Sequence, residues 1–386
     1  MLIRRIEMNK TLCLLILIVL LFNPGIAVAE NSSHVHIAEL IQPAPKASIL
    51  ENEGYFVWGA GMVQTDDGIC HLFYSRWPKP HFKSWIINGE IAYAKAENPS
   101  GPYVFQNVLL GKRGPDFWDG TSVYNPQVIH AEGKYYLYYT GNNGANRLRK
   151  DKKGRVITQR IGVAVAEDPT GPWQRFDVPL IDISEEGMDS NFTCNPAVTP
   201  TPEGSYLMIY KCGAGSGRKG PVYHTAAVAQ DPLGPFDKTG QKIFGHVSIR
   251  FPAEDPFIWC QNNTFYALLK DMQGTFSSAG TSLVQFESRD GVTWHPSKPA
   301  LVSRRMIHWS DGTQEKVDRL ERPQIWLKNG KPAMLFLAVR KGGHSYNVHV
   351  PLNADGIIAA GVCRRESRAE LPWLAYGQKI AVLYLF

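Results

Sequence analysis

Asp255 and Glu321 each stand at the start of an apolar run, and a third carboxylate, Glu254, lies beside the first. Cleaving a glycosidic bond needs such a set: one carboxylate as base or nucleophile, and an acid on the opposite face of the sugar to protonate the leaving oxygen. Asp119 and Asp189 each lie six residues before an Asn-Pro pair, Asn125-Pro126 and Asn195-Pro196, so they occupy the same relative point in two segments. Either fits the role of base, of pKa modulator or of substrate clamp. Arg322, next to Glu321, suits a substrate carboxylate or sulfate, a neighbouring acid whose pKa it would lower, or a structural ion pair. Asn125 and Asn195 offer amides to a substrate, whereas strand alternation would turn Glu254 away from Asp255. His308 and His246 precede two of these runs and could donate a proton or bind a metal. Trp58, Trp77, Trp118 and Trp309 flank the same runs, and indole faces suit stacking on sugars.

These residues are far apart in sequence, so a repeated unit must bring them together. Asn125-Pro126-Gln127-Val128-Ile129, Gly133 and the alternating run Lys134 to Tyr139 form the clearest copy. Asn195-Pro196-Ala197-Val198, Asp255-Pro256-Phe257-Ile258 and Arg322-Pro323-Gln324-Ile325 begin three others, and Gly59-Ala60-Gly61-Met62-Val63 begins a degenerate first one. A second motif follows at similar phase in Asn98-Pro99-Ser100-Gly101-Pro102-Tyr103, Asp168-Pro169-Thr170-Gly171-Pro172-Trp173 and Asp231-Pro232-Leu233-Gly234-Pro235-Phe236. Short β-rich runs with Pro/Gly turns at a period of about 66 residues predict an all-β, five-bladed β-propeller of four-stranded antiparallel blades. The first strand of each blade lines the central channel, which gathers Gly59, Asn125, Asn195, Glu254-Asp255 and Glu321-Arg322 in one cavity. Asp168, Asp231 and Asp290 are expected to accept backbone N–H bonds in outer turns, and Trp173 and Trp294 to pack blades. Ring closure calls for an N-terminal strand in the last blade, for which His34 to Ile41 is the candidate.

The 386 residues are 44% hydrophobic and 20% charged, enough to bury a sizeable core. Arg4, Arg5 and Lys10 precede the apolar run Thr11 to Phe22, and Ala27-Val28-Ala29 offers a cleavage site, so residues 1–29 read as a signal peptide of a secreted or periplasmic protein. Residues 30–352 form the expected propeller domain, and 353–386 match no repeat. No stable membrane span is expected after cleavage. Without the three basic and one acidic residues of the leader, the formal charge falls from +6 to +4, too mild for a nucleic-acid partner. Cys70, Cys194, Cys212, Cys260 and Cys363 have no zinc-site spacing; Cys194 and Cys212 flank a turn and make either one disulfide or two free thiols. No feature specifies an oligomeric state.

With these motifs, the chain resembles the five-bladed propeller glycoside hydrolases, the arabinanase, xylosidase and invertase superfamily that includes families 43 and 117. The likeness rests on Ala164-Val165-Ala166-Glu167-Asp168-Pro169-Thr170-Gly171-Pro172-Trp173 and its copies, on Phe73-Tyr74-Ser75-Arg76-Trp77, and on Glu254-Asp255-Pro256 and Glu321-Arg322-Pro323. It implies removal of single sugars or short units from plant or algal poly- or oligosaccharides. The resemblance implies an aspartate base, a second aspartate that tunes pKa, and a glutamate acid or, in family 117, a histidine acid. It requires no cofactor and allows a structural calcium. Trp58-Gly59-Ala60 stands where family 43 places its base aspartate. Asp255 is therefore expected as the displaced carboxylate and Glu321 as the acid, with His308 as the substitute acid. The alternatives are a carbohydrate-binding propeller that has lost catalysis, and a glycoside phosphorylase, for whose phosphate only Arg322 and Arg340 are at hand.

Overall fold

The computed structural model describes residues 34–144, 158–214 and 220–353. The chain divides into the units Met1–Val35 and His36–Phe386, and every element below belongs to the second. The proposed leader, Cys363 and residues 354–386 lie outside the described residues.

After β1 (Ile49–Leu50), strands β2 (Tyr55–Gln64), β3 (Cys70–Pro78), β4 (Glu90–Ala96) and β5 (Val104–Leu110) form the first blade. The second contains β6 (Ser122–Ala131), β7 (Lys134–Asn142), β8 (Arg160–Ala166) and β9 (Gln174–Arg175); the third contains β10 (Phe192–Pro200), β11 (Tyr206–Gly213), β12 (Val222–Ala229) and β13 (Asp237–Lys238). The fourth contains β14 (Ala253–Gln261), β15 (Thr264–Asp271), β16 (Ser282–Ser288) and β17 (His295–Arg304). A small hairpin, β18 (Met306–His308) and β19 (Gln314–Lys316), precedes β20 (Arg319–Lys328), β21 (Lys331–Lys341) and β22 (His344–Pro351) of the fifth. All pairings within the blades are antiparallel, and the first strands touch in the cyclic order β2, β6, β10, β14, β20 and back to β2. The fold is a five-bladed propeller, as the repeat predicted.

Closure works as expected but with a different segment. The outer strand of the last blade is β1, with Ile49 opposite Val348 and Leu50 opposite Asn347. His34 to Ile41 is not that strand: Ile37–Leu40 form one helical turn and only Ile41 bridges Leu352. Apolar residues at Ile37 and Leu40, three apart, serve a helical turn as well as an edge strand, and the backbone carbonyl of Pro351 takes the Gln42 N–H instead.

The inner strands are buried on both faces because each blade packs against two neighbours. Tyr138, Tyr210 and Met208, for example, fill one inter-blade layer with Ile161 and Val198. In the outer turns, Asp168 accepts from Thr170 N–H at 2.8 Å, Asp231 from Leu233 N–H at 2.7 Å and Asp290 from Val292 N–H at 2.8 Å, the turn role expected of them. Trp173 packs edge-on against Phe73, and Trp294 against Phe244. Cys194 and Cys212 are free thiols. Cys194 lies opposite Lys211 and Cys212 opposite Thr193, a one-residue offset that sends the two side chains to opposite faces of the sheet.

Candidate active site

Each first strand carries a bulge at the same point of the repeat. The pairing with the second strand slips between Trp58 and Ala60, Tyr124 and Gln127, Cys194 and Ala197, Glu254 and Phe257, and Glu321 and Gln324. The residues at the slip, Gly59, Asn125, Asn195, Asp255 and Arg322, all have left-handed backbones with φ of 49–57°. In four of them proline follows and removes a ladder donor, which favours a bulge there. Asn and Asp tolerate this conformation better than most residues. The result is a ring of five positions, four of which carry polar side chains. Asn125 Nδ2 donates to Asn195 Oδ1 and Asn195 Nδ2 to Asp255 Oδ1, both at 2.7 Å, and Arg322 Nη1 approaches Asp255 Oδ1 at 3.3 Å.

The bulge also overturns one expectation. Alternation would have turned Glu254 away from Asp255, but the left-handed residue breaks the period of two, and both line the same cavity, as do Glu321 and Arg322. This cavity encloses about 140 Å³, close to the roughly 150 Å³ that accommodates one six-membered ring. Its floor is closed by glutamines two residues beyond the ring positions. Gln127 exchanges two hydrogen bonds with the Val198 backbone, and Gln324 Nε2 donates to Pro126 O at 2.6 Å. Gly61 makes room for this plug, since a Cβ there would come within 2.4 Å of Gln324 Oε1.

Aromatic residues build one wall: Trp58, Trp77, Phe82, Trp85 and Tyr124. Phe82 meets Trp58 edge-on at 5.3 Å, Trp85 meets Tyr124 at 4.9 Å, and the Arg340 guanidinium covers Phe82 at 4.2 Å. The opposite wall is charged. Lys211 Nζ bonds Glu254 Oε1 at 2.7 Å, and Lys270 Nζ bonds Glu321 Oε1 at 2.5 Å while lying 3.5 Å from Glu254 Oε2. Arg319 adds a contact to Glu321 at 3.3 Å. Lys211 and Lys270 stand opposite Cys194 and Glu254 in their own blades but reach Glu254 and Glu321 of the next. Ser75 and Thr140 occupy the same column in the first two blades, and their hydroxyls receive the Asn125 and Asn195 backbone N–H groups.

This arrangement separates the three carboxyl groups electrostatically. Burial pushes Glu254 up, but Lys211 and Lys270 outweigh it and hold the group at about 2. Burial raises Asp255, and the Glu254 charge adds to it against Arg322. Burial likewise raises Glu321 despite Lys270, with Glu254 and Asp255 adding to the rise. One carboxylate is therefore held ionised while its two neighbours bind a proton more readily than free carboxyl groups do. Behind Lys211, burial and the lysine's charge push His224 down to about 3 and keep it neutral.

Four of the sequence candidates lie elsewhere. Asp119 is fully buried between Arg113 Nε at 2.7 Å, Arg175 Nη2 at 2.5 Å and the Tyr139 hydroxyl at 2.6 Å. Asp189 pairs with Lys238 at 2.7 Å and accepts from the Tyr210 hydroxyl. The two occupy equivalent places because each pins the approach to a first strand against the second and fourth strands of its own blade. Trp118 stacks on Tyr139, donating Nε1–H to Phe176 O, and His308 is exposed on the β18–β19 hairpin. None of these four lines the cavity, and neither do two further candidates, His246, which is exposed ahead of β14, and Trp309, which is buried beside the β18–β19 hairpin. Asp119→Ala strands two arginines and is expected to cost about 3–5 kcal/mol in urea unfolding, with ligand affinity at the wild-type level. Among the described residues no three His, Cys, Asp or Glu side chains converge as a metal ligand set. No helix among them is long and apolar enough to cross a membrane.

Sequence reasoning missed Lys211, Arg319, Phe82, Trp85, Tyr124 and Gln159 of the lining, and Lys270, which bonds Glu321 from outside it. Aligning the second strands of the repeats exposes the column Ser75, Thr140, Lys211 and Lys270. Phe82 and Trp85 sit in the connection between β3 and β4, outside the repeated motifs that guided the reading.

No protein-family model and no curated protein matches the chain. Solved structures do. A family 117 glycoside hydrolase of the marine bacterium Zobellia galactanivorans is 17% identical at a TM-score of 0.57, over 81% of this chain and 89% of that one. An endo-arabinase from Bacteroides thetaiotaomicron is 14% identical at 0.53, over 81% and 98%. An alpha-L-arabinofuranosidase from Lactobacillus brevis is 13% identical at 0.53, over 83% and 96%. The chain shares the five-bladed propeller arrangement of these proteins.

Proposed function

We propose that the protein is a secreted or periplasmic glycoside hydrolase that removes sugars from the ends of plant or algal oligo- or polysaccharides, with its chemistry in the central cavity of the propeller. The observation that carries this reading is the juxtaposition of three carboxyl groups, one held ionised and two raised, with an aromatic wall in one cavity. The glycoside hydrolase neighbours favour the same substrate class.

Glu321, raised by burial, is the acid that protonates the leaving oxygen as the bond to the anomeric carbon breaks. Asp255 supplies the base or nucleophile on the other side, oriented by Asn195 and Arg322. Glu254 reacts with neither sugar nor water in this account. Its fixed negative charge lifts the proton affinity of both partners. Trp58 and the neighbouring rings receive the apolar face of the sugar.

Glu254 gives the test. Removing its charge in Glu254→Gln lets the lysines and Arg322 act on Asp255 and Glu321 unopposed, so both pKa values fall. The pH profile of kcat/KM on oligosaccharides of arabinan, xylan, agar, carrageenan or porphyran is expected to move to lower pH on both limbs. A profile that stays in place would remove Glu254 from this role, and binding without turnover on every substrate would favour the carbohydrate-binding propeller.

A further inference from the structure

We propose that Gln159 and Asn125 form the part of the cavity that selects the sugar, their side-chain amides reading hydroxyl groups along one edge of a neutral ring. This rests on the reading of the cavity as a carbohydrate site and specifies the sugar class it takes.

The charged groups of the lining satisfy one another. Lys211 pairs with Glu254 at 2.7 Å, and Arg319 with Glu321 and Arg322 with Asp255 at 3.3 Å each, three cations against three carboxylates. An ionic substituent on the ligand would find no unpaired charge there. The amides differ. Asn195 engages both ends of its side chain, accepting from Asn125 and donating to Asp255. Asn125 gives one N–H to that chain, and among the described residues its Oδ1 has no partner.

Gln159 completes the set. Its backbone carbonyl accepts from Thr193 N–H at 3.2 Å and from Arg160 Nη1 at 2.8 Å, which ties it to the first strand of the third blade two positions before Asn195. Its side-chain amide lies near the Tyr124 hydroxyl without hydrogen-bonding it, beside the residue that precedes Asn125. Gln159 and Asn125 are both half-buried and line the cavity, so a ligand there meets them, whereas Asn195 is only 3% exposed. A primary amide offers donors and an acceptor, and a sugar hydroxyl both donates and accepts, so these two side chains suit hydroxyls of one ring better than an ionic or apolar group. Tyr124 meets Trp85 edge-on at 4.9 Å and both line the cavity, an aromatic surface for the less polar face of that ring. A ligand lacking one of the hydroxyls leaves an amide unsatisfied in a half-buried place, which is the basis of discrimination.

Titration of the purified protein with L-arabinose, D-xylose and D-galactose, each beside its monodeoxy forms, tests this by calorimetry or NMR. At least one parent sugar is expected to bind about tenfold or more tightly than one of its deoxy forms. Gln159→Met keeps the length of the side chain and removes the amide, and that ratio should then shrink to about twofold or less. Asn125→Gly removes the other amide and is expected to fold, because Gly59 stands at the equivalent ring position in the same left-handed conformation. It should reduce the discrimination likewise. Parent and deoxy sugars binding alike, or a ratio that survives either variant even with weaker binding throughout, would overturn the proposal. So would failure of all three parent sugars to bind, or D-galacturonate binding about tenfold more tightly than D-galactose. Hydrolysis of oligosaccharides that is lost in Glu321→Gln would uphold the hydrolase reading even where this proposal failed.

Discussion

Glu321→Gln is expected to keep the propeller intact while oligosaccharide hydrolysis falls by about 10²–10⁴-fold, the usual contribution of a positioned general acid. The amide retains the shape of the side chain, and Lys270 keeps Glu254 at 3.5 Å, so no buried charge is left alone. The loss should depend on the leaving group. An alcohol needs a proton as its bond to the sugar breaks, whereas a nitrophenolate leaves without one. Hydrolysis of a nitrophenyl glycoside should therefore suffer far less. Asp255→Asn should depress both substrates alike, because the base or nucleophile is needed whatever leaves. Steady-state kinetics on the two substrate types separates these roles.

Lys211→Met should destabilise the fold by about 3 kcal/mol, the lower end of the cost of breaking a buried ion pair. Glu254 would be left with Lys270 alone, at a longer distance. Its depressed pKa sets the pH dependence. Glu254 is held at about 2 in the fold, so the stability it contributes is fully present above its ordinary value of 4.5 and is lost as pH falls through about 2. The difference between wild type and Lys211→Met in chemical unfolding should accordingly shrink on acidification. Adding Glu254→Gln to Lys211→Met should recover much of the loss, which a double-mutant cycle would show.

The fold was legible because the repeat writes it five times. The Asn-Pro and Asp-Pro motifs mark the bulges, the Gly-Pro turns mark the outer strands, and together they set blade number and phase. Within the site, the ring residues could be read for the same reason. Asp119 and Asp189 misled because a repeat reports structural equivalence without distinguishing chemistry from scaffolding. The two aspartates correspond because both pin a strand with a tyrosine and a cation. Glu254 was misplaced because alternation is a property of regular strands and its neighbour Asp255 has φ of 57°. The lysines that hold the carboxylates come from the preceding blades, and nothing in the local sequence of Lys211 or Lys270 joins them to Glu254 or Glu321. That pairing exists only after the blades pack.

The central claim is that the mouth of this propeller cleaves glycosidic bonds with Glu321 as acid. Release of single sugars from an oligosaccharide panel, followed for the wild type and Glu321→Gln side by side with binding of the same oligosaccharides, tests it most directly. The account predicts steady release by the wild type, with binding retained and release lost in the variant. Binding without release by the wild type, or equal release by both proteins, would contradict it.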